Sequence, residues 1–146
     1  MMLTKSLVLI LCATMSFARP PTAQNNPSEK AAGDSNEAWL IGDWRGDSIC
    51  VVRESACHDE DSLYHLAKLP EKPGWFSMKA DKIVDGKPVT MGTVECSYDV
   101  KQHSLECAIP RGGVLRFTAE ENKMQGSMTL ADKTLWRKIS LKKVKS

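Results

Sequence analysis

VECSYDVKQHSLECAI, residues 94–109, is the stretch that decides the fold. Val94, Cys96 and Tyr98 alternate with Glu95 and Ser97, and Leu105, Cys107 and Ile109 alternate with Glu106 and Ala108. A period of two marks half-buried strands rather than helix. Antiparallel register with Tyr98 against Leu105 sets Cys96 directly opposite Cys107, with VKQH at the hairpin tip. A cross-strand disulfide is geometrically reasonable at such a pair. That assignment leaves Cys50 and Cys57 as a local bridge, with crossed pairings still open.

The same arithmetic extends downstream. Met124, Gly126, Met128 and Leu130 share one face of MQGSMTL; Leu135, Arg137, Ile139 and Leu141 share one face of the last strand. With ADKT as the turn, Leu130 falls opposite Leu135, Met128 opposite Arg137, Gly126 opposite Ile139 and Met124 opposite Leu141. Every inward residue then meets another inward one. The preceding strand, VLRFTA, places Ala119 opposite Met124 across an EENK loop, and Phe117 opposite Gly126, where a large ring fills a missing side chain.

Upstream, Phe76, Met78, Ala80 and Val84 alternate, with Lys82 off pattern, and Asp85-Gly86 supplies a hairpin turn. LPEKPG, 69–74, is a loop by its prolines. SLYHLAKL is a strand whose inner face is ambiguous, and WRGDSICVV is the first strand. No amphipathic helix shows between Trp39 and Ser146. About eight strands with short connections predict an all-β, up-and-down antiparallel meander closed into a small disulfide-stapled barrel. A sandwich is the alternative.

The N-terminus reads differently. Residues 1–18 carry one lysine, Lys5, then an apolar run from Leu7 to Ala13, with Ser16 and Ala18 placed for cleavage before Arg19. This is a secretory signal pattern. The run is shorter than the roughly 20 apolar residues that span a bilayer, and no later segment reaches that length. Residues 19–38, rich in proline and poor in large apolar side chains, read as a flexible leader. Residues 39–146 then form a single domain. Cys12 leaves with the signal, and the even count of four remaining cysteines predicts two disulfides in an oxidising compartment. The expected location is exported, periplasmic or extracellular.

Gly42 and Trp44 in IGDWRG stand where the leader gives way to patterned chain. A Gly-x-Trp opening the first strand, with an arginine on the last, resembles the calycin pattern of lipocalins and their avidin-like and fatty-acid-binding relatives. The resemblance implies that Trp44 closes one end of the barrel and that Arg137 packs across its indole and hydrogen-bonds to nearby carbonyls. It covers these two short motifs and the strand pattern. The later lipocalin signatures and C-terminal helix are absent, and no avidin ligand contact maps here. The combination of SIC…ACHDE, ADKIVDGK, CSYD and a basic last strand also resembles small uncharacterised exported bacterial proteins.

Twenty basic against 18 acidic residues give no sign of a nucleic-acid partner, and the basic C-terminal stretch reads as a solvated edge and tail. In CHDED, 57–61, a metal site would use His58, Asp59, Glu60 or Asp61, with His65. Consecutive residues on extended chain point to opposite sides, so a charged turn beside a disulfide is the preferred reading and no metal is expected. His103 belongs to a hairpin tip. No GxSxG, CxxC or placed carboxylate pair supports catalysis, so the chain reads as a non-enzyme without a cofactor. The inward residues Val94, Tyr98, Leu105, Ile109, Leu115, Phe117, Met124, Met128 and Leu130 suit an apolar ligand. They could equally fill the barrel, although Gly46, Ser48, Ala80 and Gly126 leave room. The first expectation is a carrier of a small apolar molecule lined by Tyr98, Phe117, Met124 and Met128. The second is a protein-binding module, such as an inhibitor of a secreted hydrolase, acting through CHDED and the RGG turn after Pro110. A filled structural barrel of the cell envelope is the third.

Overall fold

The computed structural model describes residues 37–145, so the expected signal peptide and nearly all of the leader lie outside them. After a single 3-10 turn, Ala38–Leu40, come β1 (Gly42–Cys50), β2 (Glu60–Lys68), β3 (Trp75–Val84), β4 (Lys87–Asp99), β5 (Ser104–Ile109), β6 (Gly113–Glu120), β7 (Lys123–Thr129) and β8 (Leu135–Lys143). Each strand pairs antiparallel with the next, and β8 returns to β1 to close the barrel. Closure gives both terminal strands a partner, which an open meander or a sandwich would not. Glu37 and Ala38, read with the leader, belong to the folded part: Glu37 is buried and lies 3.6 Å from Lys68.

The registers worked out above hold for most of their length. Cys96 stands opposite Cys107 and Tyr98 opposite Leu105. Phe117 faces Gly126, and Ala119 faces Met124. Met124, Gly126 and Met128 face Leu141, Ile139 and Arg137. Disulfides join Cys50 to Cys57 and Cys96 to Cys107.

Two features break simple alternation. A bulge on the β7–β8 ladder pairs Thr129, not Leu130, with Leu135, and leaves Trp136 as the extra residue. An inserted residue reverses which side the following chain faces. Leu135, expected inside, is therefore exposed, while Trp136, expected outside, turns toward the barrel mouth. A second bulge pairs Ala80 with Gly92 but Asp81 with Thr90, so Met91 is extra. Val84, expected inside, is exposed beyond it. The EENK loop is also shorter than expected, because Glu120 and Lys123 still pair.

The lower end of the barrel is plugged. The 3-10 turn lays buried Leu40 across it, and the Trp44 indole Nε1 donates to the Leu40 carbonyl at 2.9 Å. Gly42 enters β1 at φ +115°, a conformation that residues with a Cβ rarely adopt. The cation at the plug is Lys143, which corrects the expectation for Arg137. Lys143 Nζ lies 4.6 Å from the Trp44 ring centroid and donates to the carbonyls of Trp39, at 2.7 Å, and Ile41. The cause is the β1–β8 register, which sets Trp44 opposite Lys143 and Cys50 opposite Arg137. Arg137 is thus six residues up the strand, about 20 Å from the plug at roughly 3.3 Å per residue.

Above the plug the core is solid. Trp39 meets Trp44 and Tyr98 edge-on at 6.3 Å, Phe76 meets Tyr98 at 6.3 Å, and Tyr64 meets Phe117 at 6.1 Å. Gly126 leaves no room, contrary to expectation: a Cβ there would lie 2.2 Å from the Phe117 ring. Gly46 leaves none either, since its Cβ would meet the Ser140 carbonyl oxygen at 2.1 Å.

Candidate functional site

The upper end is open. β4 pairs with β5 only over residues 96–99, so above the Cys96–Cys107 bridge these two strands share no ladder. Inside this end lies a half-open cup of about 420 Å³, lined by residues from most strands and by the Pro110–Arg111 turn. The volume lies within the roughly 300–1,000 Å³ typical of small-molecule sites.

The cup has two kinds of wall. Val94, Ile109, Pro110, Leu115, Met128 and Trp136 make the apolar side, with Met91 at the gap. The small residues Ser48 and Ala80 keep the space open, where larger inward side chains would fill it. Facing them is a compact polar group. The Arg137 side chain, 12% exposed, puts Nη2 at 3.2 Å from Glu60 Oε1. Its Nη1 donates to the Ser48 carbonyl and Oγ, each at 3.2 Å. A half-buried ion pair of this kind persists when further hydrogen bonds satisfy the charges, as Ser48 does here.

The Tyr64 hydroxyl titrates above the ordinary phenol range. Burial drives it up; the neighbouring Ser62 hydroxyl opposes the rise, Glu60 adds to it, and Arg137 opposes it. Ser62, Tyr64 and Leu66 form the inner face of β2, which settles the ambiguity of SLYHLAKL. Tyr64 stands opposite Trp44 and Leu66 opposite Gly42, so the inner face of β1 decides it.

Of the four residues expected to line a cavity, Met128 lines the cup. Tyr98, Phe117 and Met124 do not; they are buried in the solid lower core, where the large side chains collect. CHDED is dispersed rather than gathered. Glu60 turns inward to Arg137, Asp61 turns outward to Arg45 with Arg45 Nη2 at 2.6 Å, and Asp59 Oδ1 accepts the Cys50 amide at 2.8 Å. His58 is exposed. His65 lies on the outer wall, its Nδ1 2.7 Å from Asp43 and its Nε2 3.1 Å from the buried Asp81, which Lys79 also reaches at 3.1 Å. His103 stays exposed at its hairpin, 3.5 Å from the Tyr98 hydroxyl.

Sequence reasoning missed Glu60, Tyr64, Arg111 and Trp136 as cup residues. The available signal was Glu60–Ser62–Tyr64 alternation, which pairs a carboxylate and a phenol on the face shared with Leu66.

The geometry defines the class: an eight-stranded, antiparallel, closed β-barrel with one plugged and one open end, an architecture consistent with a calycin-like fold. The chain matches no protein-family model and no curated protein. Among the described residues no helix is long and apolar enough to cross a membrane.

Proposed function

We propose that this chain is an exported, non-enzymatic barrel of the lipocalin-like or avidin-like kind, which holds a small and mostly apolar molecule in its upper cup. The observation that carries this reading is the contrast within one barrel. The lower interior is filled, while the upper interior keeps about 420 Å³ between an apolar wall and the Arg137–Glu60–Ser48 group. Two disulfides support export into an oxidising compartment, periplasmic or extracellular, after removal of the expected signal peptide.

The test is saturable binding of N-phenyl-1-naphthylamine, an uncharged fluorescent probe, to the oxidised protein. Ala80→Phe places a ring in the cup and should abolish the binding while leaving the unfolding transition in place. If the folded variant binds the probe as the original does, the cup is not the site. Native mass spectrometry of the protein from its own exporting cells should show a small molecule that leaves on denaturation.

A second reading uses the same end differently. The loop closed by Cys50–Cys57 and the turn at Pro110–Arg111 both stand at the mouth on a rigid frame, as a protein-binding module requires. Charge changes at His58 and Asp59 should then abolish capture of a secreted partner without altering probe binding.

A further inference from the structure

Besides the neutral phenol of Tyr64, the titratable side chains that line the cup are Glu60, Arg111 and Arg137. They carry one negative and two positive charges, so the lining has an excess cation before any ligand enters. Glu60 is committed to Arg137. Arg137 in turn spends Nη1 on Ser48 and Nη2 on Glu60, and among the described residues its Nε has no partner. Arg111 has no acidic partner among the described residues.

The position of Arg111 is unusual in its own right. The Gly112 amide donates to the Ile109 carbonyl at 3.2 Å, which makes 109–112 a tight turn with Pro110 at its second position. Arg111 follows at φ +75°. A turn of this shape ordinarily takes glycine or asparagine there, because a Cβ is strained at positive φ. Glycines stand at 112 and 113, directly beside it. Positive φ alone assigns no role, since Asp85, His103 and Lys133 share it; at Arg111 it holds a charged side chain at the edge of the cavity.

Resting on the cup reading above, we infer that the ligand is an amphiphilic anion: an apolar body against Val94, Leu115, Met128 and Trp136, and one acidic group held between Arg137 and Arg111. The Arg111 guanidinium suits such a group because its planar fork offers parallel donors to a carboxylate or sulfonate, while Arg137 adds its Nε–H and its charge. Glu60 keeps Arg137 in place and disfavours a second negative charge, so the selection is for a single acidic group.

Two probes with one ring system separate this inference from the reading beneath it. 8-Anilinonaphthalene-1-sulfonate carries a sulfonate; N-phenyl-1-naphthylamine lacks it. The oxidised protein should bind the sulfonate about tenfold or more tightly than the neutral probe, as a charge-assisted hydrogen bond in a partly buried site allows. Arg111→Gly should cut that ratio about threefold or more, and it should not lower the thermal midpoint, because it relieves the strained turn. Arg137→Gln, which makes the remaining lining of Glu60 and Arg111 neutral, should bring the ratio close to one. Equal affinity for the two probes overturns the anion assignment and leaves the cup standing. A ratio unchanged in folded Arg111→Gly also overturns it, because the sulfonate is then held elsewhere. Binding of neither probe removes both the assignment and the cup.

Discussion

At the lower end of the barrel Trp44, Phe76, Phe117, Met124 and Leu141 are at most 2% exposed, and a lysine seals the plug by hydrogen bonds to two carbonyls. At the upper end the inward positions carry Ser48, Glu60, Ala80 and Arg137, and the interior stays open. Both ends are made from the same alternating strands. The difference lies in side-chain volume at each height: large apolar groups below provide the burial that holds the fold, and small or polar ones above leave concavity. Each fully buried large apolar side chain is worth roughly 1.5–3 kcal/mol, so stability should reside below and binding above.

The harshest test of that division is Trp44→Ala. It should cost about 3–5 kcal/mol in denaturant unfolding, because it empties the plug and leaves the Leu40 carbonyl without its donor. A cost below about 1 kcal/mol would mean that the lower end is not where stability resides. Next in size is the bridge at the boundary between the halves. Cys96→Ala with Cys107→Ala should cost about 2–4 kcal/mol, since it frees the upper end of the short ladder between β4 and β5. It should also loosen the cup, which probe affinity would report.

Lys143→Met sharpens the comparison between the two inward cations of β8. Burial lowers the titration of Lys143, against an opposing pull from Asp43. The substitution leaves the Trp39 and Ile41 carbonyls without this donor, at about 1–2 kcal/mol. It should also shift tryptophan fluorescence, because the charge leaves the Trp44 face. In a Trp136→Phe background, which removes the indole beside Arg137, Arg137→Gln should leave that fluorescence unchanged. If Arg137 rather than Lys143 governs the signal, the assigned β1–β8 register is wrong.

The smallest effect is read from its pH dependence: it is present near neutrality and fades in acid. Asp81 lies buried on the outer wall, beside the bulge that opens the cup. Burial pushes its carboxyl up, but hydrogen bonds from Thr90, Lys79 and His65 together outweigh this and leave it below the usual carboxylate range. A depressed folded value adds stability above the unfolded value of about 3.9, and that stability is lost as pH falls through the folded value. Asp81→Asn should therefore lower the denaturant midpoint near neutrality and flatten its decline in acid. Parallel profiles for the two proteins between about pH 6 and pH 2 would refute the linkage.

Much of the fold was legible. The pairing of Cys96 with Cys107, the Phe117–Gly126 contact and the Asp85-Gly86 turn followed from period-two patterning between strands adjacent in the chain. There the connection is short, and a slip of one residue would turn every apolar side chain outward. The site was much less legible. Arg137 and Lys143 lie on the same inward face, and alternation gives the face but not the height along the barrel. Height depends on strand tilt and stagger, which accumulate around the ring and are known only when the last strand meets the first.

The amino-acid sequence by itself determined an all-β antiparallel meander and its local registers, because those rest on neighbouring strands and side-chain parity. Only the tertiary structure decided which end is open, which cation meets Trp44, and that bulges at Met91 and Trp136 place an indole in the cup. Those outcomes depend on closing β8 against β1 and on the twist that each inserted residue adds, and neither is written in any single strand.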